Sequence, residues 1–137
     1  MKISNTSEYA IRILSFMAKD PESKYSAKYL VEKLGISDKY LRRLMTMLAK
    51  AGFITSTQGR DGGYSFAKNL NAIFLFDIID AVEGMDKYMD CVLGFDECSD
   101  ENPCVLHHSW VKMRDSFVGM MHDISLADLK LDHNYKF

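Results

Sequence analysis

Cys91, Cys98, Cys104 and His107 place three thiols and one imidazole within 17 residues, with six, five and two residues intervening. Thiolate and imidazole donors in such a run are enough for a tetrahedral zinc site or for iron-sulfur coordination. Three is also an odd number, so the thiols cannot all pair within one chain, and in a reducing compartment they indicate a metal or redox site rather than a staple. The spacing lacks the close Cys-x2-4-Cys steps of zinc fingers and the tight repeats of ferredoxins. On the residues alone, iron-sulfur, zinc and free regulatory thiols all stay open. His107 follows Cys104 by roughly one helical turn, which favours it over His108 as the imidazole facing the loop. His108, His122 and His133 read as structural or solvated. Gly94, Ser99, Asn102 and Pro103 let the segment fold around an ion. Asp96, Glu97, Asp100 and Glu101 suit a cation on the solvent side, but not a disulfide-exchange role that needs a lowered thiol pKa.

The rest of the chain must position this loop. A length of 137 residues with 47% apolar and 26% charged residues fits one compact domain, or a small head with an extension, and excludes disordered and fibrous classes. No leader pattern and no apolar run near 20 residues is present, so a cytoplasmic protein with no membrane partner is expected. The net charge of -2 conceals an asymmetry: residues 1–70 carry 12 Lys and Arg against 6 Asp and Glu, and residues 71–137 carry 5 against 13. The first part is the candidate face for a polyanion.

In that basic part, Ala10, Ile13, Leu14 and Met17 mark a first helix over residues 7–18. Ser26 and Gly35 bracket a short second helix, and Ser37 caps a third from Asp38 to Ala51. The third helix collects Leu41, Leu44, Met45 and Leu48 on one face and leaves Lys39, Arg42, Arg43, Thr46 and Lys50 largely elsewhere. Two helices joined by Gly35-Ile36-Ser37 form the pattern of a helix-turn-helix. Phe53–Thr57 and Tyr64–Ala67 flank a Gly59-to-Gly63 turn and predict a two-stranded wing, with Gln58 and Arg60 able to reach phosphate or a minor groove. The glycines do not make a nucleotide loop, because no strand-to-helix fingerprint or following Lys-Ser/Thr accompanies them. Ile73–Val82 predicts a short strand touching the wing and then a helix under the head.

From Val105 to Ile124 the periodicity is helical again. Trp110, Met113, Phe117, Met120, Met121 and Ile124 form a broad apolar stripe with no comparable element left to cover it, so a twofold homodimer is expected. Ser125 starts a short last helix through Leu126, Leu129 and Leu131, ahead of a loose tail. The expected fold is mainly α with a small β-wing: a winged-helix head at 1–84, a cysteine-rich loop at 85–106, and a dimerisation helix with a short C-terminal helix at 107–137.

Ser7-Glu8-Tyr9-Ala10, Gly35-Ile36-Ser37, Tyr40-Leu41, Ala51-Gly52-Phe53-Ile54, Gly59, Gly62-Gly63-Tyr64, Ala81-Val82-Glu83, the cysteine loop and Ile124-Ser125-Leu126-Ala127-Asp128-Leu129 occur in one order. In that order they resemble the bacterial winged-helix regulators that include IscR and NsrR. The resemblance implies a cytoplasmic homodimer on palindromic promoter DNA, with Cys91, Cys98 and Cys104 as ligands of an iron-sulfur cluster. It implies His107 as fourth ligand of a 2Fe-2S cluster, favoured over 4Fe-4S, or else Glu8 reaching the partner subunit's cluster. Lys39 and Arg42 match base-facing positions, while Arg43 and Tyr40 match positions that touch the backbone or pack beneath it. Two features depart from the family: an extra residue between Cys91 and Cys98, and Gln58 where a basic residue often precedes the glycine.

The expected function is transcription regulation, as a repressor governed by a cluster that senses iron, redox state or nitric oxide. A cluster-free or zinc-binding regulator using its thiols as sensor is the alternative, and a metal-binding protein-interaction module is another. No Cys-x-x-Cys pair, cofactor fingerprint or nucleophile-base set supports an enzyme.

Overall fold

The structure, a computed structural model, describes residues 2–131. His133 and the tail expected to be loose lie outside the described residues. The chain runs α1 (Asn5–Met17), α2 (Ala27–Leu34), α3 (Asp38–Lys50), β1 (Ile54–Thr57), β2 (Gly63–Phe66), a 3-10 turn (Leu70–Ala72), α4 (Leu75–Glu83), a single helical turn α5 (Asp86–Met89), α6 (His107–Asp123) and α7 (Leu126–Leu131). Among the described residues no helix is long and apolar enough to cross a membrane.

Local chemistry sets the helix ends. Ser26 and Ser37 accept the backbone N–H of Tyr29 and Tyr40 at the starts of α2 and α3, satisfying donors that lack an intrahelical partner. Gly35 ends α2 in the left-handed conformation, φ 66°, which is cheap only without a Cβ. Leu41, Leu44, Met45 and Leu48 anchor α3 by full burial in the core they share with Ile13, Leu14 and Met17 of α1 and Ile78 and Ile79 of α4. Each such side chain contributes about 1.5–3 kcal/mol. That anchoring fixes the opposite face of α3, where Lys39, Arg42, Arg43, Thr46 and Lys50 are exposed.

β1 and β2 pair antiparallel, with Ile54 opposite Phe66 and Thr57 opposite Gly63. The second edge of β2 is taken by Tyr25, which exchanges both backbone hydrogen bonds with Tyr64 at 2.9 and 2.8 Å. A Cβ at Gly63 would lie 2.8 Å from the Tyr25 carbonyl oxygen, and one at Gly62 2.1 Å from that of Thr57, so both positions need glycine.

The strand expected near Ile73 does not touch the wing. Phe74 instead bridges to Ser125: the Leu75 N–H donates to Ile124 O and the Leu126 N–H to Ile73 O, each at 2.9 Å. The end of α6 is thus stitched to the start of α4. The apolar stripe of α6 is also less bare than its sequence suggests. Met121 is buried in the core of the chain, Phe117 packs on Tyr88 of α5 at 5.4 Å, and Ile124 is half-buried at the stitch. Met113 and Met120 remain exposed.

A second unforeseen feature joins the two ends of the head. Glu83, at the end of α4, accepts the Ser7 hydroxyl of α1 and the Tyr88 hydroxyl, the latter at 3.2 Å, and pairs with Lys87. Burial acts to raise the Glu83 carboxyl, but Lys87, Ser7 and Ser4 outweigh it and hold it below the usual carboxylate range.

Candidate functional site

The cysteine loop lies between α5 and α6 and is shaped by short-range bonds. The Gly94 N–H donates to Cys91 O at 2.9 Å, with Gly94 at φ 82°. Ser99 Oγ accepts the Asn102 N–H at 3.2 Å, and the His107 N–H donates to Cys104 O at 3.1 Å as α6 begins. α6 in turn holds the beginning of the loop. The Trp110 indole donates to Asp90 O at 2.9 Å and the Arg114 guanidinium to Met89 O at 3.3 Å.

Within this frame the sulfur atoms of Cys91, Cys98 and Cys104 all lie within 4.8 Å of one another, and Cys91 and Cys104 are 3.7 Å apart. Tetrahedral ligands about 2.3 Å from one ion stand about 3.8 Å from each other. The thiols are therefore spaced to share a metal centre, and the donor set fits a thiophilic one. His107 meets this triangle at its Cys98 corner: Nδ1 is 3.3 Å from Cys98 Sγ, which also accepts the Cys104 N–H at 3.4 Å. The residue is buried, and its Nε2 lies 2.9 Å from Asp100 Oδ1.

The thiols differ in acidity. The Phe95 N–H is the largest influence on Cys91; with Leu93 N–H, Cys104 and Cys98 it outweighs desolvation and lowers the thiol to about 7. At Cys98 the Cys104 N–H acts downward, but loss of water contact and the neighbouring Cys104 and Cys91 together raise the thiol. The acidic composition of the loop had argued against any lowered thiol. Backbone donors, which composition does not display, reverse that expectation for Cys91.

The other expected residues fall into separate places. Lys39, Arg42 and Arg43 are exposed on α3, and Gln58 and Arg60 are exposed beside the wing turn. Arg42 Nε also pairs with Asp38 one helical turn back, at 3.0 Å. Tyr40 does not stand free: its hydroxyl donates to Thr6 Oγ1 at 3.2 Å and its ring meets Tyr9 edge-on at 5.7 Å, fixing α3 against α1. Glu8 is held by Arg12 at 2.9 Å and Lys2 at 3.3 Å. Trp110 donates to the backbone at the start of the cysteine loop. Sequence reasoning missed Asp100 as the partner of His107, although an aspartate near a candidate ligand histidine is the signal that would have found it.

Comparison with known proteins now adds to the geometry. The sequence model of the Rrf2 family, described as an iron-dependent transcriptional regulator, matches residues 3–132. Protein rrf2 of Nitratidesulfovibrio vulgaris is 34% identical over 140 residues, covering 96% of this chain and 89% of that protein. The crystal structure of the oxidized form of CymR from Staphylococcus aureus superposes with a TM-score of 0.78 at 28% identity, over 98% of this chain and 100% of that one. The structure of T. potens IscR gives 0.72 at 29% identity, over 94% and 85%.

Proposed function

Because the chain belongs to the Rrf2 family of iron-dependent transcriptional regulators, we propose that this DNA-binding regulator is a cytoplasmic homodimeric repressor controlled by an iron-sulfur cluster at Cys91, Cys98, Cys104 and His107. The observation that carries this reading is the convergence of three thiols within 4.8 Å, with an imidazole at one corner. A 2Fe-2S cluster, favoured over 4Fe-4S, supplies there one-electron chemistry and sensitivity to iron supply, oxidants and nitric oxide. Among the rival fourth ligands His107 is favoured, since its Nδ1 already faces Cys98, whereas Glu8 would have to leave Arg12 and Lys2 to serve the partner subunit.

The chain's own residues account for the rest. Val92, Leu93, Phe95 and Val105 of the cysteine loop are exposed, as are Met113 and Met120 of α6; apolar surface of this kind supports a second subunit. A twofold pair presents two α3 helices to a pseudo-palindromic site. Lys39 and Arg42 read bases, while Arg43, Gln58 and Arg60 meet phosphate or the minor groove. Arg42→Ala is expected to cost about 1–3 kcal/mol of discrimination between operator and mismatched sites. Titration against a panel of DNA duplexes checks this, and an unchanged preference defeats the role of Arg42.

A second reading, a cluster-free regulator with thiols as sensor, is favoured by the 3.7 Å Cys91–Cys104 separation and the lowered Cys91 thiol. An anaerobic visible spectrum of fresh protein, with iron, acid-labile sulfide and zinc assayed on the same sample, separates the readings. Charge-transfer bands with stoichiometric iron and sulfide support the cluster. A colourless protein that resists reconstitution overturns it, with bound zinc pointing to a structural metal and no metal to the thiol sensor.

A further inference from the structure

We propose that Asp100 is a positioning residue for the metal centre: it holds the His107 ring so that the lone pair of Nδ1, and not an N–H, faces the thiols. The inference rests on the reading of His107 as fourth ligand.

The Asp100 carboxylate accepts hydrogen bonds and, when ionised, has none to donate. Its oxygen lies 2.9 Å from His107 Nε2, so in the neutral ring the proton belongs on Nε2. That leaves Nδ1 unprotonated at 3.3 Å from Cys98 Sγ, where it is an acceptor for a thiol and a donor atom for a metal. One hydrogen bond thus fixes both the tautomer and the ring rotation of a side chain that is 10% exposed. Carboxylates that orient a ligand imidazole in this way raise its basicity, and their loss typically lowers metal affinity 10–100-fold.

Asp100 is well placed to act through His107 alone. Its side chain is 87% exposed, so the fold does not depend on its burial. The hairpin that carries it, closed by the Ser99 and Asn102 bonds, is built from its neighbours' atoms. His108 also lies within reach of Asp100 and His107, and it gives the test a competing candidate.

The test uses full-length, reduced, metal-free protein with Co2+ as probe under anaerobic conditions. Asp100→Ala is expected to weaken Co2+ binding about 10–100-fold, and Asp100→Glu to recover part of the loss. In a His107→Ala background the Asp100 substitution is expected to change nothing. By nuclear magnetic resonance, the Nε2–H of His107 is expected to be observable in the wild-type protein and lost to solvent exchange in Asp100→Ala. Equal loss of Co2+ affinity with and without His107, the same loss from His108→Ala, or an Nε2–H that survives Asp100→Ala would each overturn the proposal. If His107→Ala leaves Co2+ affinity unchanged, the ligand reading fails instead, and the Nε2–H measurement still decides whether Asp100 orients the ring.

Discussion

Replacing Cys98 with serine is expected to weaken metal retention by more than about 100-fold, the upper range for losing an outer-shell partner, and to leave operator affinity indifferent to metal. Cys98 is the corner where the constellation closes. It faces the imidazole of His107, accepts the Cys104 N–H, and lies within 4.8 Å of both other sulfurs. A serine hydroxyl does not ionise near neutral pH and offers a hard oxygen where a thiophilic centre requires sulfur. The thiol is only half-buried, so the helical fold should persist. Metal content after dialysis and operator titrations with loaded and stripped protein measure the effect. If Cys98→Ser retains iron or zinc as tightly as the parent chain, the thiol triangle does not hold the metal.

Substituting Glu83 with glutamine is expected to cost about 1–3 kcal/mol at neutral pH, the range for disrupting buried hydrogen bonds to a charged group. The Ser7 hydroxyl, fully buried, has the carboxylate as its acceptor, and Lys87 supplies the opposite charge. Because the folded protein holds this carboxyl below its ordinary range, folding favours the charged form. The resulting stability is complete above the unfolded value of about 4.3 and disappears as pH falls through the lower folded value. Melting temperatures of the parent and Glu83→Gln proteins should therefore differ by several degrees at pH 7 and by progressively less as pH falls below the unfolded value and through the lower folded one. A gap that stays constant across that interval would show that the carboxylate's charge is not what joins α1 to α4.

Local signals carried most of the architecture. Ser26, Gly35 and Ser37 write the helix-turn-helix because caps act within one turn, and Leu41, Leu44, Met45 and Leu48 reveal the buried side of α3 through their spacing. The cysteine triangle was legible for a similar reason: soft ligands confined to a short segment have few ways to be far apart. Contacts that span the sequence were not legible. Nothing near Ile73 announces that its strand-like neighbour pairs with Ser125, because the register depends on α6 returning to the head. Tyr25 joins the wing through backbone atoms that every residue possesses. That Met121 and Phe117 pack within the chain was not legible either, because helical period records which side is apolar and not what covers it. Asp100 looked like solvated charge because its role requires the fold of the loop around His107.

The stitch between Ile124 and Leu75 makes α6 a lever with a defined fulcrum. Its 17 residues span about 25 Å at 1.5 Å per residue. One end is clamped to the DNA-binding head through α4, and His107 and the thiol loop ride on the other. A tilt of about 5° around the clamp would carry the loop end through roughly 2 Å at that length. Conversely, a small adjustment beside the thiols, delivered over so long an arm, would act as torque at the base of α4, which packs against α3. The cysteine loop and the start of α4 thus sit at opposite ends of one helix.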